Sequence, residues 1–103
     1  MNFAERVYSM CKKIPIGKIT TYGAIAEALH SSPRAVGQAL RCNPYAPLVP
    51  CHRVIKSDGT IGGFNGRIKG AEIRRKILLL KKEGISISKN SVLNLGQVLV
   101  RDF

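Results

Sequence analysis

Pro50-Cys51-His52-Arg53-Val54, followed by Ile55 and then Gly59, is the stretch that decides how this chain is read. A proline pins the backbone ahead of a cysteine, a histidine stands next, and an arginine follows. The thiolate is the nucleophilic form, and a free thiol with pKa near ~8.5 is mostly protonated at neutral pH unless a base or a cation adjoins it. Here both adjoin it in sequence. The preceding segment, Arg34-Ala35-Val36-Gly37 and then Asn43-Pro44, turns a moderate signal into a strong one.

Working outward, 103 residues make one domain, and 45% hydrophobic residues supply a core, which argues against wholesale disorder. No run of eighteen apolar residues occurs and the first residues lack a leader pattern, so the expectation is a soluble, cytoplasmic monomer without membrane contact. Seventeen Lys and Arg against six Asp and Glu give +11, a field that attracts polyanions. Ribosome or membrane-surface association fits the same charge. The three cysteines are odd in number and irregularly spaced, which argues against a disulfide framework and for a reducing compartment. No C-x₂-C pair accompanies His30 and His52, so neither a metal site nor a cofactor is expected.

Periodicity predicts a mainly α chain with short β elements. A helix over Phe3 to Lys13 turns Phe3, Val7, Met10 and Cys11 inward and stops at Pro15 and Gly17. Thr20 or Thr21 caps a second helix running through Leu29, with Ile25, Ala26 and Leu29 inward. Ser32 and Pro33 open a third, which runs to about Cys42. Two short helices joined by a few residues read as a helix-turn-helix. Pro44, Pro47 and Pro50 stiffen the next segment, and a short strand or turn is expected between Val49 and Lys56. Ser57 to Thr60 suggests a hairpin turn, and Gly62 to Gly66 a flexible loop. Glu72 to Lys82 forms a helix with Ile73, Ile77 and Leu80 inward and Gly84 as its cap. The tail from Ile85 alternates around Lys89-Asn90-Ser91, compatible with a small hairpin.

Several residues have two readings. Gly37 in mid-helix costs roughly 1 kcal/mol relative to alanine, so it serves either tight helix packing or close approach of the backbone to DNA. Cys11 and Cys42 read as buried apolar filler, whereas the neighbours of Cys51 make filler a poor description of it. His52 is either a satisfied core histidine or a general base. Arg53 either ties the motif to nearby carbonyls or acts on the thiol. Glu83, at a helix end, is ordinarily a solvated carboxylate.

Taken together, Pro50-Cys51-His52-Arg53-Val54, Arg34-Ala35-Val36-Gly37, Asn43-Pro44, Tyr22 after Thr21, and Leu79-Leu80 with Glu83-Gly84 resemble the O6-alkylguanine-DNA alkyltransferases. The resemblance spans about residues 3 to 85 and is to the family's C-terminal, winged helix-turn-helix-like DNA-binding and catalytic domain. It implies minor-groove binding to duplex DNA containing O6-alkylguanine, with Arg34, Ala35 and Gly37 on the DNA-binding helix and Arg34 filling the space of an extruded guanine. It implies that Tyr22 and the backbone around Cys51, Val54 and Asn65 hold the flipped base. Cys51 would take the alkyl group irreversibly, His52 would accept the thiol proton through a water, and Glu83 would orient His52. Asn43 and Arg53 would be structural.

Three departures accompany the resemblance. The N-terminal domain of many members has no counterpart here, the turn between Tyr22 and Arg34 is short, and Asn65 stands where some members have a serine. Two other functions compete with alkyl transfer. An alkyltransferase-like lesion sensor binds without transferring, but such proteins typically lack the nucleophile that Cys51 supplies. A winged-helix regulator would read base edges with long polar side chains, which the helix at Arg34 to Ala39 scarcely offers.

Overall fold

Asn2 starts the first helix. Its side chain accepts from the Glu5 amide at 2.8 Å, and Glu5 reaches back to the Asn2 N–H. The structure, a computed structural model, describes residues 1–45, 48–62 and 70–103. Helix α1 spans Phe3–Lys12 and buries Val7, Tyr8, Met10 and Cys11. Strand β1, Thr20–Thr21, runs directly into α2, Tyr22–Ala28, because the Thr21 hydroxyl caps the Ala24 amide at 3.0 Å. Ser32 caps α3, Pro33–Arg41, in the same way through the Ala35 amide at 3.1 Å. Between them His30 takes a left-handed φ of 55° and the Ser31 amide closes onto the Ala26 carbonyl. Helices α2 and α3 form the expected helix-turn-helix.

The motif itself is a single 3-10 turn over Cys51–Arg53 leading into β2, Val54–Ile55. Strand β2 pairs in parallel with β1, Thr20 opposite Val54 and Thr21 opposite Ile55. The sequence left open a strand or a turn here, and the chain uses both in succession. Helix α4 covers Ala71–Lys82 and ends on Glu83, with Gly84 at φ 91°. The Ile85 amide returns to the Leu80 carbonyl and the Gly84 amide to that of Lys81, both at 3.0 Å. This left-handed closure folds the chain sharply back and buries Ile85.

Beyond it, β3, Ile87–Ser88, and β4, Ser91–Val92, make an antiparallel hairpin. A short helix α5, Leu95–Val98, replaces strand-like alternation, because Leu95 and Val98 share a helical face turned to the core. Leu99 then bridges Ile19, while the Ile61 amide donates to the Asn90 carbonyl and the Val92 amide to that of Gly59. The tail is therefore stitched to both β1 and the turn after β2, forming the wing. One core, centred on Val7, Ile19, Ile25, Val36, Val54, Ile55 and Leu80, unites these elements. Among the described residues every buried side-chain polar atom is hydrogen-bonded, and no helix is long and apolar enough to cross a membrane.

Candidate active site and nucleic-acid interface

Cys51 opens the 3-10 turn and is 7% exposed. Its amide donates to the Val49 carbonyl at 2.8 Å, and the Arg53 amide to that of Pro50 at 3.0 Å. Asn43 locks the approach: its side-chain amide donates to the same Val49 carbonyl at 3.1 Å, and its oxygen accepts from the Tyr45 amide at 2.9 Å. The end of α3 is thereby tied to the residues just ahead of Cys51.

Glu83 is not a solvated helix-end carboxylate. Its side chain is 15% exposed and receives three donors. His52 Nε2 lies 2.9 Å from Oε2, Arg53 Nε donates to Oε1 at 2.9 Å, and Arg53 Nη2 donates to Oε2 at 2.9 Å. Arg53 Nη1 continues to the Ile14 carbonyl at 2.8 Å, so this arginine pins the motif to the end of α1 as well as to α4. Burial pushes the Glu83 carboxyl up, but the hydrogen bonds from Arg53 and His52, and their charges, outweigh it and hold the group below its ordinary value. Burial draws His52 below its ordinary value, against the raising pull of Glu83. A neutral imidazole facing an acceptor-only carboxylate carries its proton on Nε2 and keeps Nδ1 as a free base.

Tyr22 follows β1, whose partner β2 continues from the motif. Burial, then the neighbouring Cys51 and Cys11, push its hydroxyl up to about 12, so it remains a proton donor. Behind its ring stands Lys76, with Nζ 5.8 Å from the ring centroid. Lys76 is fully buried and donates to the carbonyls of Val54 at 2.8 Å and Ile61 at 2.7 Å. Burial pulls its ammonium down to about 7. The sequence reading missed this residue. Its signal was positional: Lys76 falls on the apolar stripe of α4 between Ile73 and Leu80.

An open groove of about 490 Å³ is lined by Tyr22, Pro33, Arg34, Gly37, Lys56, Ser57 and Asp58. It lies between the helix-turn-helix and the turn after β2. Arg34 is exposed within it. A Cβ on Gly37 would meet no atom within 4 Å, so tight helix packing is not the reason for this glycine. Ala35 is half-buried and its amide is committed to the Ser32 cap. Lys56, Ser57 and Asp58 form a groove wall that the sequence reading did not single out. Asn65, expected at the base pocket, lies outside the described residues, as do Pro47 and most of the glycine-rich loop.

Cys11 is buried filler as expected, and burial pushes its thiol up to about 12. Cys42 is not: it caps the end of α3 and is exposed. Among the described residues no three metal-ligating side chains cluster.

Comparison with known proteins settles the family. Residues 2–85 match the model of the 6-O-methylguanine DNA methyltransferase DNA-binding domain. The chain belongs to this family. A methylated-DNA–protein-cysteine methyltransferase of Sulfolobus acidocaldarius is 46% identical over 86 residues, covering 84% of this chain and 52% of its own. The chain spans about half the length of the curated relatives it matches. The O6-methylguanine-DNA methyltransferase of Pyrococcus kodakaraensis is 43% identical with a TM-score of 0.70, covering 82% of this chain and 47% of its own. Atl1 of S. pombe, solved with damaged DNA containing O6-carboxymethylguanine, is 35% identical with a TM-score of 0.81. That match covers 97% of this chain and 95% of Atl1. The methyltransferase relatives therefore carry about as much chain again outside the match, whereas Atl1 is matched almost end to end, wing included.

Proposed function

We propose that this chain is the DNA-binding and catalytic domain of an alkyltransferase that moves the alkyl group of O6-alkylguanine in duplex DNA onto Cys51. The observation that carries this reading is Cys51 on a rigid turn whose next residue, His52, is held by Glu83 at 2.9 Å. That arrangement supplies a nucleophile, a base with a free nitrogen, and an orienter.

In the proposed reaction α3 enters the minor groove and Arg34 occupies the space vacated by the flipped guanine. Tyr22, its proton retained, donates a hydrogen bond to the extruded base. Nδ1 of His52 takes the Cys51 proton through a water, with Glu83 stabilising the imidazolium that forms. The sulfur lone pair attacks the alkyl carbon; the C–S bond forms as the bond to O6 breaks. Guanine leaves with the electron pair and is reprotonated by the proton that left the thiol. No cofactor enters. The thioether is stable, so each molecule acts once, as a monomer.

One observation favours a second reading. The match to Atl1 over 97% of this chain, in a structure solved with damaged DNA, fits a lesion-binding protein. The presence of Cys51 with its relay weighs against binding alone. Cys51→Ser separates the two: it should abolish alkyl transfer and still prefer lesion-bearing duplex over undamaged duplex. Unchanged transfer by that variant would contradict the mechanism.

A further inference from the structure

The groove uses few of the chain's cations. Among the described Lys and Arg, only Arg34 and Lys56 line it. Four others gather on α4: Arg74, Arg75, Lys81 and Lys82 are all exposed. At about 100° per residue they share an arc of about 120°, roughly opposite Lys76 and Leu80, which turn into the core. Leu78 is the one large apolar side chain among them, 55% exposed. No acid offsets the face. Glu72 is half-buried, and Glu83 is committed to His52 and Arg53. Among the described residues none of the four cations forms an ion pair.

The face is also distinct from the groove. No α4 residue lines the groove. The inner side of α4 faces it through Lys76, whose Nζ points at the Tyr22 ring. The cationic side is therefore turned away from Tyr22 and the groove that it lines.

We infer that the outer face of α4 binds the phosphate backbone of a second DNA segment, so that one molecule holds two duplexes. From Arg74 to Lys82 the helix rises about 12 Å, and over that length of its axis one strand of B-DNA, rising ~3.4 Å per nucleotide, carries about three to four phosphates. Four cations on that length match the repeat without reading bases. A membrane surface fits less well. An interfacial helix must bury an apolar face in lipid, and the apolar face of α4 is already used by the core. The inference rests on duplex binding by this family's DNA-binding domain and not on alkyl transfer.

The test is a bridging assay with undamaged DNA. A bead-bound duplex captures a second, fluorescent duplex through the protein, for the parent and for Arg74→Gln/Arg75→Gln/Lys81→Gln/Lys82→Gln. Glutamine keeps helix propensity, and an unchanged thermal midpoint establishes that the variant is folded. Bridging should fall at least tenfold, while the preference for lesion-bearing over undamaged duplex stays as in the parent. The slope of log K against log salt should shrink by about 3 if three to four phosphate contacts are lost. Equal bridging by parent and folded variant would overturn the inference. So would a four-residue loss of binding to phosphatidylserine vesicles with bridging intact. Absence of any lesion preference in both proteins would instead count against the proposed function and leave the bridging result standing.

Discussion

His52 Nε2 stands 2.9 Å from Glu83 Oε2, a contact that joins two residues 31 apart in the chain. Packing of α4 against the motif turn brings its end to His52, and Arg53 secures the contact by chelating the same carboxylate. The carboxylate thus has two tasks: it fixes the histidine tautomer and balances a partly buried guanidinium.

Glu83→Gln separates those tasks only in part. The amide can still accept from His52, but the charge that stabilises a protonated imidazole is gone. Alkyl transfer should slow by about 10²-fold, within the range for general-base assistance. Stability should fall by roughly 2–3 kcal/mol, below the 3–5 for breaking a fully buried pair. Glu83 lies below its ordinary value when folded, so its contribution is present above the unfolded pKa of ~4.3 and fades as acid titrates the folded carboxyl. Urea midpoints from pH 6 down to 3 should fall less steeply for the variant. Parallel curves would contradict this.

The pH dependence of transfer reports on His52. Its folded pKa is depressed, so the neutral base persists below ~6.5, where an ordinary histidine would already be half protonated. Reaction with a free-base pseudosubstrate, measured from pH 5 to 8, should keep its plateau through 6.5 and decline only below it. The same sign applies to stability: the unfolded chain takes the proton first, so the His52 contribution is full above ~6.5 and is lost as pH falls through the folded value. A kinetic midpoint at or above 6.5 would contradict the buried-neutral assignment.

Gly37→Ala tests the interface by opposing two effects. The new Cβ meets no protein atom within 4 Å, and alanine stabilises a helix interior by roughly 1 kcal/mol over glycine. The thermal midpoint should therefore rise. Duplex affinity should drop several-fold, since the methyl group projects into the groove. A stabilised variant with undiminished affinity would show that DNA does not approach the α3 backbone at this point.

These residues also show what the sequence could and could not reveal. Caps and breakers placed α1 through α4 because Thr21, Ser32, Pro33 and Gly84 act locally. The motif exposed Cys51, His52 and Arg53 because they are contiguous. Glu83 depended on the family resemblance, since no local pattern reveals that an end-of-helix carboxylate will meet residues 30 positions away. Lys76 escaped because its hydrogen bonds to the backbone carbonyls of Val54 and Ile61 carry no side-chain signature. Helix α5 was missed because its four residues are ordered by docking on Ile19 and Gly59 more than by propensity.

Lys76→Met should reveal the buried ammonium through the pH dependence of stability. With its folded value lowered to about 7 and an unfolded value of ~10.4, the unfolded state holds more protons in between, so this lysine makes stability rise with pH above 7. Cys11, pushed up to about 12, acts in the opposite sense once pH exceeds ~8.5. The informative quantity is therefore the parent-minus-variant difference in urea midpoint between pH 7 and 8.5, which should grow in the parent's favour. A flat difference would show that Lys76 keeps an ordinary ammonium despite its burial.

The central claim is that Cys51 accepts the alkyl group. Intact-protein and peptide mass spectrometry, after incubation with a duplex carrying one O6-methylguanine, tests it most directly. The account predicts one added methylene, mapped to Cys51, absent with undamaged duplex and absent in Cys51→Ser. Unaltered mass in a folded sample that binds the lesion tightly would contradict it and make the protein a lesion-binding sensor.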